Sequence, residues 1–173
     1  MMAQYMEVKN QYKDCILFYR LGDFYEMFFD DALTASRELE ITLTGRDCGQ
    51  EERAPMCGVP YHACDIYLNK LIEKGYKVAI CEQMEDPKLA KGIVKREVIR
   101  IVTPGTNMSQ AILDETRNNY LMCIFGCNDE YGVAVCDITT GEFRSCHISS
   151  TSKLYDEINK YSPTEIISSS HWS

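Results

Sequence analysis

The 173-residue chain lacks the features that would assign it to a membrane or to the secretory pathway. It has no apolar run that approaches the roughly 20 residues needed for a membrane helix. The first residues, Met1 to Tyr5, contain neither the basic segment nor the apolar segment of a secretory signal. These absences predict a cytoplasmic protein with no membrane partner.

The sequence also lacks the short motifs of common catalytic sites. It contains no Gly-x-x-x-x-Gly-Lys-[Ser/Thr], which a phosphate-binding loop would require, and no Gly-x-Ser-x-Gly. The three histidines, His62, His147 and His171, are far apart, and nothing beside them suggests a Ser/His/Asp or Cys/His site. We therefore predict no catalytic residues.

Cysteines are numerous but do not form a recognisable metal site. There are nine, none in a Cys-x-x-Cys pair, and most lie in apolar runs such as residues 78–81 and 133–136. They are typical of small buried hydrophobic residues in a reducing compartment. Cys57 and Cys64 flank His62, but this spacing matches no zinc finger and a fourth ligand is missing. We predict no metal.

Basic residues are in the minority, and the formal net charge is −8. Residues 1–110 carry 14 basic against 17 acidic residues, and residues 111–173 carry 4 against 9. This balance argues against indiscriminate nucleic-acid binding. Five basic residues nevertheless lie close together beside one acid, Glu97: Lys88, Lys91, Lys95, Arg96 and Arg100. Such a basic ridge fits selective contact with a polyanion, and a solvated charged surface explains it equally well.

Hydrophobic periodicity divides the first hundred residues into alternating helices and strands. Helices are predicted over 2–13, 30–40 (capped by Asp30 and Asp31) and 61–74, and strands over 15–19, 24–29, 41–44, 76–83 and 94–103. Residues 55–60 contain two prolines and a glycine, and we interpret them as rigid connecting chain.

The remaining residues have a different pattern. Residues 107–119 are polar and predict a linker. Three closely spaced strands follow over 120–127, 132–138 and 143–148, then a helix capped by Ser150 and a short strand at 165–167. A sheet with one helix has not closed its core, so we expect this second domain to be truncated.

The most informative segment is the strand that begins at Phe24. If it is extended, Phe24, Glu26 and Phe28 share one face, and Tyr25, Met27 and Phe29 share the other. A flat ring would then lie about 7 Å from a hydrogen-bonding carboxylate. This pair suits a device that enters a base stack and tests one base edge. The alternative is an ordinary amphipathic strand whose Glu26 faces water.

Asp137 suggests a second possibility. It follows a strand and precedes a turn and another strand, a setting that resembles the first-strand aspartate of the ribonuclease-H-like fold. A metal-dependent nuclease needs further converging carboxylates. Glu142 and Glu157 fall in a turn and on a helix, so a structural hairpin aspartate is the favoured interpretation.

Four motifs, in this order along the chain, resemble the MutS family of DNA mismatch-repair proteins. They are Phe18-Tyr19-Arg20-Leu21-Gly22-Asp23-Phe24-Tyr25-Glu26-Met27-Phe28, Met56-Cys57-Gly58-Val59-Pro60-Tyr61-His62-Ala63, Val78-Ala79-Ile80-Cys81-Glu82-Gln83 and Arg100-Ile101-Val102-Thr103-Pro104-Gly105-Thr106. The resemblance implies a mismatch-recognition domain at 1–106, a linker at 107–119 and the N-terminal part of a connector domain at 120–173. The implied fold is α/β (α+β-like), with a mixed β-sheet flanked by helices followed by a partial ribonuclease-H-like α/β domain.

The resemblance also implies residue roles. Phe24 would stack on the mispaired base from the minor groove, with Glu26 as the neighbouring carboxylate. We expect Arg46, Lys95, Arg96 and Arg20 as possible contacts to the DNA backbone.

The implied partner is mismatched double-stranded DNA. In the full-length family protein, a homodimer, a MutL-type partner, a bacterial nucleoid location and an ATPase domain with ATP and magnesium are expected. This chain shows no counterpart of that domain, so we predict no cofactor and no enzymatic activity for it. A metal-dependent nuclease and a protein-interaction module are the alternative functions.

Overall fold

The computed structural model describes residues 1–49, 53–85, 92–108 and 118–169. The chain divides into two compact units, Met1–Thr103 and Pro104–Ser173. Most of the predicted linker, together with Lys88 and Lys91 of the basic ridge, lies outside the described residues, and the linker limits stay a prediction. Among the described residues, no helix has the length and apolar character to span a membrane.

The described part of the first unit is a six-stranded mixed sheet with three α-helices. In chain order its elements are α1 Met2–Gln11, β1 Cys15–Leu21, β2 Phe24–Phe28, α2 Phe29–Leu39, β3 Thr44–Arg46, β4 Ala54–Pro60, a 3-10 turn Tyr61–Ala63, α3 Cys64–Glu73, β5 Lys77–Gln83 and β6 Arg96–Val102. The strand order is β3-β4-β2-β1-β5-β6. Strands β1 and β5 are parallel, and the other neighbouring pairs are antiparallel. The predicted α/β class is confirmed.

Helices cover both faces of this sheet, so the central strands are buried on both sides. Phe18, Met27 and Ile80 pack on one face beneath α2 and α3. Leu17 and Phe28 pack on the other face beneath α1. The nearly continuous apolar sequence of β5 follows from this double burial, as predicted.

Asp31 connects α1 to the sheet through hydrogen bonds. Its buried carboxylate accepts hydrogen bonds from Leu17 N at 3.0 Å, Lys9 Nζ at 2.8 Å and Tyr5 Oη at 3.3 Å. The predicted capping role of Asp30 and Asp31 is therefore wrong, because α2 has Phe28 as its N-cap residue and no side-chain cap. The carboxylate instead satisfies polar groups inside the unit.

Three further predictions for this unit are corrected. The predicted connecting chain at 55–60 is strand β4, paired with both β2 and β3. The predicted strand at 41–44 overlaps β3 only at Thr44. Phe29 does not share a strand face with Tyr25, because the strand ends at Phe28 and Phe29 opens α2 with a φ of 53°.

The second unit is a four-stranded sheet with one described helix. Its elements are a 3-10 turn Pro104–Thr106, β7 Tyr120–Cys127, β8 Glu130–Asp137, β9 Glu142–Ile148, α4 Thr151–Tyr161 and β10 Glu165–Ser168. The order is β10-β7-β8-β9, and β10 pairs in parallel with β7. Ser150 caps α4 by accepting a hydrogen bond from Lys153 N, as predicted. Helix α4 packs on one sheet face through Leu154.

Candidate nucleic-acid interface

Phe24 is an exposed ring on a well-anchored backbone. It is the first residue of β2, directly after the turn Gly22-Asp23, and its side chain is 47% exposed. The backbone is held from both sides, since Phe24 pairs with Leu21 of β1 and with Pro60 of β4. An exposed aromatic side chain on a doubly paired strand is suited to contact with a flat partner.

Helix α1 explains why Phe24 is exposed although Phe28 on the same face is buried. Tyr5 of α1 lies edge-on to Phe28, with ring centroids 4.9 Å apart. The cluster beneath α1 contains Phe28 but neither Phe24 nor Glu26. The face is therefore core at one end of β2 and accessible at the other, a division that strand alternation alone does not reveal.

Glu26 lies two residues from Phe24 on this face. It pairs with Tyr19 on one side and Gly58 on the other. Its carboxylate forms an ion pair with the guanidinium of Arg46 on β3, and the two side chains are 16% and 37% exposed. The structure thus places Glu26 beside Phe24 on one strand face and in contact with Arg46, whose backbone pairs with Ala54 near the other end of β4.

Gly58 is a site residue that the sequence analysis missed. A Cβ atom at Gly58 would lie 3.6 Å from Glu26 Cγ and 3.8 Å from Phe24 Cδ1, so this position lies between the two side chains. Glycine inside a strand often marks close approach of a ligand or another backbone. That signal was present in the sequence, but interpreting 55–60 as connecting chain concealed it.

Arg20 is close to Phe24 in sequence but lies on the opposite face. Its guanidinium lies 3.8 Å from the centroid of the Tyr61 ring, and its Nη1 is 3.7 Å from Glu82 Oε1. Arg20 pairs with Tyr25 and shares the face that is covered by α3. These contacts occupy the side chain that we predicted as a possible backbone contact.

Arg96 and Lys95 are placed differently from each other. Arg96 is buried, and its guanidinium donates to Arg20 O at 2.8 Å and to Val94 O at 2.9 Å. Lys95 is exposed and pairs with Glu97 at 2.6 Å, and this hydrogen bond raises the pKa of the lysine. Of these two side chains, that of Lys95 is the better placed to contact a phosphate, because it is exposed. Lys95 directly precedes β6, an edge strand of the sheet.

The described residues contain no group of three or more His, Cys, Asp or Glu side chains placed to hold a metal ion. Cys57 is buried and Cys64 is partly buried, and burial raises the pKa of their thiols to about 12 and about 11. Thiolates are the form that binds zinc, so these environments do not favour a zinc site.

The carboxylate of Asp137 is hydrogen-bonded to neighbouring residues of its own unit. The buried carboxylate accepts from Thr139 N at 2.9 Å, Thr139 Oγ1 at 2.6 Å and Asn119 N at 3.2 Å. Burial alone would raise the pKa of this carboxyl, but these hydrogen bonds outweigh it and lower the pKa. Glu142, the nearest acid along the chain, pairs with Arg144. This geometry fits a structural hairpin aspartate.

The chemistry available around Phe24 is recognition. A ring, a carboxylate and a guanidinium can stack on a base, hydrogen-bond to its edge and neutralise a phosphate. These three groups therefore suit contact with a nucleic acid.

Known proteins match the chain over nearly its whole length. The family model for MutS domain I matches residues 1–111, and the model for MutS domain II matches residues 119–173. The DNA mismatch repair protein MutS of Lachnoclostridium phytofermentans is 70% identical over 167 residues, and that of Acetivibrio thermocellus is 69% identical over 170.

Each alignment covers 96% of this chain, but only 18% and 20% of the two relatives. The chain therefore spans about a fifth of the length of these curated relatives. The resemblance deduced from the motifs is confirmed by the family models and the relatives alike. The chain belongs to the MutS family of DNA mismatch repair proteins, and it spans the family's domains I and II.

Proposed function

We propose that this chain recognises mismatched or looped double-stranded DNA in mismatch repair. Phe24 acts as a wedge, a ring that inserts between stacked bases, and Glu26 probes the mispaired base. The observation that carries the proposal is the Phe24 ring, 47% exposed at one end of β2 beside the partly exposed carboxylate of Glu26. Family membership supports it, since the relatives carry the name DNA mismatch repair protein.

The wedge discriminates through the energy of the DNA. Inserting a ring unstacks a base step at a cost of a few kcal/mol, and this cost is smallest where pairing is already defective. Selectivity then arises from deformability and not from a base sequence. The firmly paired backbone of Phe24 supports this role, because a fixed ring loses little conformational entropy on insertion.

Glu26 adds a chemical test at the same place. An ionised carboxylate accepts a hydrogen bond from a base N–H, whereas a protonated one donates to a purine N7. On matched duplex the bases stay stacked, and the carboxylate meets phosphates without compensation. Glu26→Gln should therefore tighten binding to matched duplex, and an unchanged affinity would reject this part of the proposal.

Arg46 supplies a cation close to the probe. Its guanidinium is the more exposed member of the Glu26–Arg46 pair, so it can exchange the carboxylate for a DNA phosphate. Such a contact positions the duplex without specifying bases. Lys95 is a second candidate, whereas the internal hydrogen bonds of Arg96 fit a structural role.

The test is a chimera in which this chain replaces the matching region of the Lachnoclostridium phytofermentans relative. Binding to G·T and matched duplexes is compared at one stated salt concentration, for the unmodified chimera and for Phe24→Ala. Phe125→Ala, which removes an exposed ring in the second unit, is the matched control. We expect Phe24→Ala to abolish the mismatch preference and Phe125→Ala to retain it. An equal mismatch preference in the unmodified chimera and in Phe24→Ala would reject the wedge.

The rest of the longer protein supplies what this chain lacks. ATP and magnesium binding, dimer formation and contact with a MutL-type partner are proposed for the full-length protein only. The chain itself binds DNA without hydrolysing ATP in this proposal. Adding ATP to the isolated chain should therefore give no phosphate release.

A protein-interaction role is the second candidate function, and the second unit favours it. Phe125 on β7 and Phe143 on β9 are exposed, and both lie on the face of the sheet opposite α4. Partner binding that survives Phe24→Ala but fails on Phe143→Ser would support this role for the second unit. Loss of partner binding in Phe24→Ala, with binding retained in Phe143→Ser, would instead point to the first unit.

A further inference from the structure

We propose that Arg20 is a positioning residue, which fixes the turn that carries Phe24 and makes no contact with DNA phosphate. The proposal rests on the proposed wedge role of Phe24. It also assigns a function to Tyr61, the ring on which Arg20 stacks.

The Arg20 guanidinium has partners within the first unit on its planar face and at Nη1 and Nε. The Tyr61 ring lies 3.8 Å from Cζ to centroid, and the Tyr25 ring lies at 5.6 Å. Nη1 lies 3.7 Å from Glu82 Oε1, and Nε donates to Gly22 O. The side chain is only 17% exposed. These contacts compete with a phosphate for the guanidinium.

The contacts of Arg20 end on the two chain segments that flank Phe24. The first is the turn before Phe24, where Gly22 has a φ of 59°, a conformation that favours glycine. The second is the 3-10 turn that begins at Tyr61, directly after Pro60, the β4 partner of Phe24. Tyr61 N donates to Asp23 O at 3.0 Å and joins the two segments. Arg20 therefore contacts both chain segments that flank Phe24.

Glu82 completes the arrangement from β5. It accepts a hydrogen bond from Tyr25 Oη and forms the ion pair with Arg20. Burial, together with the hydrogen bond to Glu82, raises the pKa of Tyr25, which keeps its hydroxyl protonated as a donor. The row Tyr25–Arg20–Glu82 thus links three neighbouring strands beneath the turn.

A fixed turn matters for a wedge. Ordering a side chain and its loop during binding lowers the affinity. A ring that is already fixed in its binding position therefore loses less conformational entropy. Arginine suits this task because its planar guanidinium stacks on a ring and hydrogen-bonds in its own plane. Lysine keeps the positive charge but loses the stacked plane. Arg20→Lys therefore separates positioning from charge.

The first test measures the turn directly in the 173-residue chain without DNA. Amide hydrogen exchange of Tyr61 is followed in Arg20→Lys and in the control Arg37→Lys, an exposed arginine that forms an ion pair with its neighbour Glu38. We expect Arg20→Lys to speed Tyr61 exchange about tenfold, the equivalent of roughly one lost interaction. Unchanged exchange, with core amides also unchanged, would overturn the proposal.

The second test uses the chimera defined above. We expect Arg20→Lys and Tyr61→Leu to reduce the preference for G·T over matched duplex about tenfold, with the salt dependence of binding unchanged. If Arg20 contacted phosphate, Arg20→Lys would retain the preference, and Arg20→Gln would lower the slope of log K against log salt by about one. That result would overturn the proposal.

Phe24→Ala separates this inference from the proposed function. If Phe24→Ala loses the preference while Arg20→Lys and Tyr61→Leu retain it, the positioning role alone fails. If Phe24→Ala retains the preference, the wedge itself fails. In that case Tyr61 amide exchange still decides whether Arg20 fixes the turn.

Discussion

Glu26 of β2 and Arg46 of β3 form an ion pair across the intervening strand β4. The carboxylate is 16% exposed and the guanidinium 37%, so water screens the pair. Such partly exposed pairs usually contribute about 0–1 kcal/mol to stability. A weak pair can be exchanged for a phosphate contact at little cost, which the proposed recognition of DNA requires.

The first prediction concerns the strength of this pair. A double-mutant cycle of Arg46→Ala and Glu26→Gln, measured by urea unfolding, should give a coupling energy below about 1 kcal/mol. The pair Lys74–Glu38, which is similarly exposed, provides a reference cycle. A coupling of several kcal/mol would mean that Arg46 is a structural residue and is not available to DNA.

The second prediction concerns Gly58. A Cβ there makes ordinary contacts of 3.4 to 3.8 Å with Tyr25 O, Glu26 and Phe24, and the backbone is not in the left-handed region. Gly58→Val should therefore change the unfolding free energy by less than about 1 kcal/mol, since replacing glycine also restricts the unfolded chain. The added methyl groups would lie between Glu26 and Phe24 and should weaken G·T binding by the chimera.

Gly132→Val provides the control for this variant, because Gly132 lies on β8 in the second unit and its Cβ would also meet little. We expect it to leave G·T binding unchanged. Wild-type affinity in Gly58→Val, at full stability, would show that the DNA does not approach this part of the face.

The sequence predicts much of this architecture because the apolar patterns are strong. Strand β7 was predicted with its exact limits, and β5 was predicted to within one residue. Both strands carry dense apolar residues between clear turn signals. The motif around Phe24 also indicated correctly that Phe24, Glu26 and Phe28 share a strand face, whereas its placement of Phe29 was wrong.

The errors arise where tertiary contacts override local pattern. Strand β4 contains two prolines and a glycine, yet it pairs with β2 over residues 56–60 and with β3 over residues 54–56. The pairing of Arg46 with Glu26, the stacking of Arg20 on Tyr61 and the burial of Arg96 depend on long-range contacts that single-sequence patterns do not contain. Basic residues were identified, but their partners were not.

The third prediction concerns Asp137 and pH. Hydrogen bonds lower the pKa of its carboxyl below the usual value, so the ionised form stabilises the fold. That stabilisation is complete above the unfolded pKa and disappears as the pH falls through the lower pKa of the folded state. Asp137→Asn should thus destabilise the second unit by about 1–2 kcal/mol at neutral pH.

Urea unfolding, followed through amide signals of the second unit, measures this effect. The difference between the wild type and Asp137→Asn should shrink as the pH falls below about 4. Asp156→Asn on the exposed side of α4 is the control. Equal stability of Asp137→Asn at neutral pH, together with Mg²⁺-dependent DNA cleavage that this variant abolishes, would instead favour the nuclease alternative.

The fourth prediction concerns thiol reactivity. Cys57 and Cys81 are buried, and burial raises the pKa of both thiols to about 12, whereas Cys123 and Cys127 are exposed. Iodoacetamide reacts with thiolates, so at about pH 8 it should modify the exposed pair first. Peptide mass spectrometry gives the order, and addition of urea should remove the difference. Equal rates in the native chain would contradict the placement of these strands.

The most direct test of the central claim is a photochemical cross-link between Phe24 and a mispaired base. Both bases of a T·T mispair are replaced by 5-iodouracil, which cross-links to a stacked aromatic ring on irradiation, and the chimera is bound and irradiated. We predict a cross-linked peptide that contains Phe24, formed with the mispair and absent when adenine faces the same analogue. Tight mismatch binding without a cross-link at Phe24, or equal cross-linking on the matched duplex, would contradict the account.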